Sequence, residues 1–258
     1  MRFINYHVRE TPNLGDRVSA PLMYWGACVV LEDLGAADRD ELQDDDVVVI
    51  GGGGLLFDKL GPLEQIIVDL LEQPRQYKVV VWGAGHNSSR DDGVYPAWLE
   101  LADLVGVRDW RGGYTWAPCP SCMAPLFDDA PPPRYPVVIY DHYPRPVPFM
   151  PNRSMPRASN YMFRTYSAAI EFLAAGETVV TSSYHGAYWA TLLGRRVITY
   201  GHSSKFRQMR HTPLHLDDDT PWQPMVESAP RYPDALLDCI RATMSFGQQV
   251  VELAGKRR

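Results

Sequence analysis

The chain predicts an α/β fold of two compact, Rossmann-like lobes with mainly parallel sheets, and three observations carry that prediction. Short β-branched runs alternate with segments of helical period through most of the 258 residues. Glycine or small polar residues follow directly on several of those runs, as they do at the carboxyl ends of parallel strands. A proline cluster interrupts the alternation near the middle, with 12 of the 22 prolines between Pro118 and Pro156. Proline lacks a backbone donor and resists helix, so this region reads as irregular and linker-like. The lobes divide into residues 1–125 and 126–258, the last helix going with the second, and a cleft is expected between them.

The elements follow in order. Arg2–Tyr6 reads as a strand, Asp16–Cys28 as a helix, Asp46–Ile50 as a strand and Pro62–Leu71 as a helix opened by proline at its first position. Lys78–Trp82 and the shorter Leu104–Arg108 are strands. Beyond the prolines come a strand at Val137–Tyr140 and a helix at Tyr166–Ala175. Thr178–Thr181 is a β-branched run that empties into Ser182, Ser183, Tyr184, His185 and Gly186. A small-residue helix (Ala187–Leu193), stopped by Gly194, and a strand (Val197–Tyr200) complete that parallel unit. The final helix, Pro233–Leu253, carries Leu236, Leu237, Ile240, Met244 and Val251 as its apolar stripe.

Composition narrows the class. Hydrophobic residues make up 45% of the chain and charged residues 22%, which excludes disorder. The balance of 25 basic against 31 acidic residues, net −6, argues against a nucleic-acid partner. No apolar run approaches the roughly 18 residues of a membrane span. The opening MRFINYHVRE has no signal-peptide core, and four cysteines are too few for a disulfide framework, so a cytoplasmic location is expected, with peripheral membrane contact left open. Cys119 and Cys122 have the spacing of a half metal site, but no second pair accompanies them. His211 and His215 are separated by Pro213, which spoils a helical zinc face, and no metal is expected.

Three glycine-bearing loops in the first half repeat one theme. Asn13-Leu14-Gly15-Asp16 opens a helix, with Asn13 or Asp16 as its cap. Gly51–Gly54 follows VVVI, and Gly83–Asn87 follows VVVW, so a ligand can approach the backbone at Gly52, Gly53, Gly83 and Gly85. With the turn at Ser182–Gly186, these suggest a site for an anion at a strand-end edge.

The series NLGDRVSAPLMYW, VVVIGGGGLL, VWGAGHN, GVRDW and TSSYHGAYWATLLGRRVI, in that order from about Asn13 to about Phe206, resembles the polysaccharide pyruvyl transferase family. The resemblance implies a GT-B-like pair of lobes, with the acceptor on the first and the donor on the second. It also implies transfer of pyruvate from phosphoenolpyruvate to two hydroxyls of a glycan or lipid-linked sugar, forming a cyclic ketal, with no cofactor. Two departures stand out: many members have arginine where this chain has Ser183, and 258 residues is short for the family.

A phosphate and a carboxylate call for cationic and hydroxyl donors, and ketal formation calls for an acid and a base. His185 fits as phosphate donor or general acid, flanked by Ser182 and Ser183. Lys205 follows the next strand, with Arg207 and Arg210 as further cations in place of the family arginine. Arg108 closes the strand Leu104–Arg108, and Asp16 is the candidate base. Each has a plain structural alternative: a helix-capping or packed His185, a dipole-stabilised Asp16, a surface pair of Arg108 with Asp109. The alternative enzyme class is a nucleotide-sugar-dependent GT-B glycosyltransferase, although Ala190-Thr191-Leu192 lacks the carboxylate that such enzymes use on ribose. A third reading is a non-catalytic sugar- or anion-binding relative.

Overall fold

Runs such as VVVI and VVVW are apolar at every position, which suits strands covered on both faces, and such strands are parallel. The computed structural model describes residues 1–26, 29–57, 61–88, 94–128, 130–148, 155–201 and 203–256. The chain is α/β with one seven-stranded and one five-stranded sheet, and every pairing between their strands is parallel. It divides into two units: Met1–Thr11 with Asp16–Met123 and Cys239–Arg258, and Pro12–Gly15 with Ala124–Asp238.

The first unit holds β1 (Phe3–His7), β2 (Val29–Asp33), β3 (Val47–Ile50), β4 (Gly53–Leu56), β5 (Lys78–His86), β6 (Leu104–Val107) and β7 (Thr115–Trp116). Their order is β2-β1-β3-β5-β6-β7, with β4 also paired to β5. The chain leaves β1 for β2 on one side and then crosses to β3 on the other, so the switch point lies between β1 and β3. Val48, Ile50, Val79 and Val81 face a core that includes Ile67 and Leu70 of helix α2 (Pro62–Leu71); α1 is the single turn Leu14–Arg17. Val47, Val49, Val80 and Trp82 face the opposite core with Phe246 and Val250.

The second unit holds β8 (Tyr135–Asp141), β9 (Arg157–Ser159), helix α3 (Tyr166–Ala174), β10 (Gly176–Thr181), helix α4 (Tyr184–Leu192), β11 (Arg196–Thr199) and β12 (Leu214–His215). The order β12-β11-β10-β8-β9 puts its switch point between β8 and β10. Gly194 stops α4 at φ +67°, where Arg195 N–H closes back on the Ala190 carbonyl at 3.0 Å.

Four expectations need correction. The helix over Asp16–Cys28 does not form: α1 is followed by a 3₁₀ turn at Pro21–Tyr24, and the Leu22 N–H goes to Asn5 Oδ1 at 3.0 Å. Pro21 cannot donate, Gly26 sits at φ +115°, and Ala27 and Cys28 lie outside the described residues. Gly83–His86 is not a loop, because β5 runs on to His86 with Ala84 paired to Gly53 of β4 and to Val107 of β6. The proline-rich segment is not merely a linker, since β8 forms within it and is central to the second sheet.

The fourth correction concerns the last helix, α5 (Ala235–Gly255). From Cys239 onward it belongs to the first unit, not the second. It buries Cys239, Thr243, Phe246 and Val250, whereas Leu237, Met244 and Val251 of the expected stripe are exposed. Shape decided this: Phe246 meets Trp82 edge-on at 5.3 Å, and Gly247 leaves room for the Trp25 ring, with which any Cβ there would collide.

Candidate functional site

The predicted site residues fall on the carboxyl edges of both sheets. Asn13, Ser182, Ser183, His185 and Lys205 belong to the second unit; Asp16, Gly52, Gly53, Gly83, Gly85 and Arg108 belong to the first.

On the second unit, the end of β10 is fixed by three hydroxyls. Thr181 Oγ1 accepts the Ser183 N–H at 3.0 Å and donates to the Tyr140 carbonyl. Ser182 Oγ accepts the His142 N–H at 2.9 Å, tying the ends of β10 and β8 across the switch point. Ser183 Oγ accepts the Gly186 N–H at 3.3 Å and so caps α4. The helix therefore starts at Tyr184, not at Ala187, and His185 lies in its first turn. Gly186 lets that turn press on the sheet: a Cβ there would stand 2.5 Å from Tyr140 Cδ1 and 2.6 Å from Thr181 Oγ1.

His185 is 4% exposed, with its ring 5.2 Å from Trp189 and 5.4 Å from Tyr184, centroid to centroid. Gly15 lies directly against the imidazole, where any Cβ would collide with Nδ1. The NLG motif and the His-Gly motif, 170 residues apart in sequence, thus form one site. Lys205 follows β11 in a 3₁₀ turn, its ammonium 5.7 Å from the Phe206 ring, and Phe206 in turn meets Tyr184. Arg210 is engaged by Asp238 at 3.2 Å.

Asn160, buried to 1% exposure, was not singled out from sequence, yet it organises this edge. Its Nδ2 donates to Asn13 Oδ1 at 3.0 Å and lies 3.1 Å from His142 Nδ1; its Oδ1 accepts the Tyr143 N–H and its carbonyl accepts the Leu14 N–H. Asn13 Oδ1 also accepts the Gly15 N–H at 3.2 Å, an Asx turn that shapes the NLG segment. His142 was missed as well, although it stands where strand-end reasoning points, two residues beyond the Val137–Tyr140 run.

On the first unit, Gly52 N–H donates to the Ser19 carbonyl at 3.0 Å, and a Cβ on Gly53 would find Asp16 Oδ1 at 3.5 Å. Asp16 therefore borders the glycine segment after β3. Gly83, at φ +69°, passes Pro120, and Gly85 lies against the aliphatic stem and Nε of Arg108. Arg108 is buried, with its N–H on the Ala84 carbonyl at 2.9 Å. Asp109 is equally buried and accepts the His86 N–H at 2.6 Å and the Tyr95 hydroxyl at 3.1 Å; this is no surface pair. Burial pushes the Asp109 carboxyl up, with Arg108 opposing. Burial likewise raises the Cys119 thiol, which feels both the Arg108 cation and the Asp16 carboxylate. Cys119 Sγ lies 3.2 Å from Ser121 Oγ and Cys122 Sγ lies 3.5 Å from Thr243 Oγ1, both as thiols outside any disulfide. Among the described residues, no three His, Cys, Asp or Glu side chains converge as a metal site, and no helix is long and apolar enough to cross a membrane.

No family model and no curated protein matches this chain. Among solved structures it is similar to a functionally uncharacterized protein, KP1_0663, from Klebsiella pneumoniae subsp. pneumoniae NTUH-K2044. The identity is 17%, over 78% of this chain and 83% of that one, with a TM-score of 0.49.

Both edges suit a polar, anionic ligand better than an apolar one. The second offers hydroxyls, an imidazole, an ammonium and the N-terminus of a fully buried nine-residue helix. The first offers glycine backbone, a carboxylate and a buried guanidinium.

Proposed function

We propose that the chain is a GT-B-like transferase that moves pyruvate from phosphoenolpyruvate to a sugar as a cyclic ketal, in glycan biosynthesis. The observation that carries this reading is the packing of Gly15 against His185 at the edge where Ser182 ties β10 to β8, with Lys205 following the next strand. Lys205, the hydroxyls of Ser182 and Ser183 and the α4 N-terminus hold the donor's phosphate and carboxylate. His185 gives a proton to the methylene carbon, leaving a cationic centre at the carbon that bears the phosphate. One sugar hydroxyl adds there, phosphate leaves, and a second hydroxyl closes the ketal. The net change releases one inorganic phosphate for each ketal formed. Of the two hydroxyl protons released, one returns to the His185 imidazole and the other leaves with the phosphate.

The test is mass spectrometry of incubations with phosphoenolpyruvate and a panel of sugars, where a gain of one pyruvyl ketal is expected. His185→Ala and Lys205→Ala should each lower turnover by at least ~10²-fold, the scale of one positioned acid or charge-stabilising donor. His185→Gln should restore little if the imidazole is the acid, and Lys205→Arg should keep part of the activity. Calorimetric binding of a uridine nucleotide without binding of phosphoenolpyruvate would replace this reading with nucleotide-sugar transfer.

The 4% exposure of His185 favours a second reading, a sugar- or anion-binding protein without turnover. There phosphoenolpyruvate binds, no ketal forms, and His185→Gln keeps the affinity.

A further inference from the structure

A groove of about 780 Å³ opens on the second unit beside the β8 and β9 ends. Pro12, Asp141 and Ser159 line it, and each is the chain neighbour of a residue in the Asn13–His142–Asn160 network. Its wall carries Tyr143 and Tyr161, stacked at 5.1 Å between centroids and 16° between planes, with Tyr143 65% exposed. Arg157 donates to both Asp141 oxygens, from Nε at 2.6 Å and from Nη2 at 3.1 Å. Asp141 Oδ1 is further fixed by the Val147 N–H at 2.8 Å.

We propose that this groove binds a neutral saccharide, one pyranose ring lying on the tyrosine pair. Flat aromatic faces match the apolar C–H face of a sugar ring, while a few fixed polar groups read its hydroxyls. The Arg157–Asp141 pair presents polar atoms in fixed geometry with its charges balanced, which favours a neutral ring over an acidic one. Aromatic grooves also take proline-rich peptides, but a proline ring has no hydroxyl to pair with the fixed polar atoms of Arg157 and Asp141. The groove stands on its own geometry as a saccharide site, apart from the pyruvyl-transfer reading, which expects the acceptor on the first unit.

Calorimetric titration of the full chain with cellobiose, lactose and mannobiose tests the groove. At least one should bind with a Kd of about 1 mM. Tyr143→Ala should weaken that binding at least ~10-fold and Tyr143→Trp should retain it. Tyr143 is exposed, so its variants keep the fold, and Met244→Ala on α5 serves as a remote control that leaves binding unchanged. The proposal is overturned if no disaccharide binds up to about 10 mM, if Tyr143→Ala binds as well as the wild type, or if a proline-rich peptide takes the groove and no disaccharide does. Phosphoenolpyruvate titrated into the wild type separates the two readings. Saccharide binding without it leaves the groove standing and removes pyruvyl transfer, and the reverse outcome does the opposite.

Discussion

Gly186 and Asn160 show how single residues hold the carboxyl edge of the second sheet, by opposite means. Gly186 acts by having no side chain: α4 can start this close to β8 only because nothing projects toward Tyr140. Gly186→Ala should therefore cost about 1–3 kcal/mol, the range for overpacking a filled core, read as a lower urea midpoint at unchanged slope. Asn160 acts by having every polar atom used. Asn160→Ala would leave Asn13 Oδ1, the Tyr143 N–H and His142 Nδ1 each short of a bond. At about 1 kcal/mol per lost bond, a loss of about 2–3 kcal/mol is expected in the same denaturation experiment. His185 and the serines before it were legible because the strand-to-helix transition is local. Asn160 was not, because its partners come from residues 13–14 and 142–143, and no local pattern records such a meeting.

At the scale of elements, α5 is the instructive case. Periodicity offered an aliphatic stripe, and the fold chose the face bearing Cys239, Thr243, Phe246 and Val250. Phe246→Ala should destabilise by about 3–5 kcal/mol, since it opens a cavity beside Trp82. Met244→Ser, on the exposed face, should stay within about 0.5 kcal/mol of the wild type. Equal effects from the two would show that the helix had been placed on the wrong face. The Pro62–Leu71 helix, by contrast, forms where the sequence set it, because proline at its first position and an apolar face against β3 and β5 agree. The segment at Asp16–Cys28 failed for the reverse reason: its local pattern suited a helix, but Pro21 and the tertiary bond from Leu22 to Asn5 did not.

Two expectations belong to the whole molecule. Because Phe246 and Val250 complete one face of the first sheet, removing everything from Cys239 onward should unfold the first unit, read as loss of its cooperative transition. The second is a pH dependence. Burial holds the His7, His211 and His215 imidazoles below their ordinary value of 6.5. Between those lowered values and 6.5 the unfolded chain binds protons that the fold refuses, so stability falls as pH drops from about 7 towards about 5. Asp109, raised by burial, works with the opposite sign near the carboxylate range. The urea midpoint should decline over that window, and His7→Gln should flatten the decline; a flat profile in the wild type would refute the assignment.

The sequence by itself determined the α/β class, the strands β1, β3, β5, β6, β8, β10 and β11, and the strand-end positions of Ser182, Ser183, His185, Lys205 and Arg108. Those follow from apolar period and from punctuation, which act over a few residues. Only the tertiary structure decided that Gly15 closes on His185, that Asn160 joins three segments, that residues 83–86 are strand, and which face α5 buries. Each of those is a contact between residues far apart in the chain, settled by shape and by the pairing of buried polar groups.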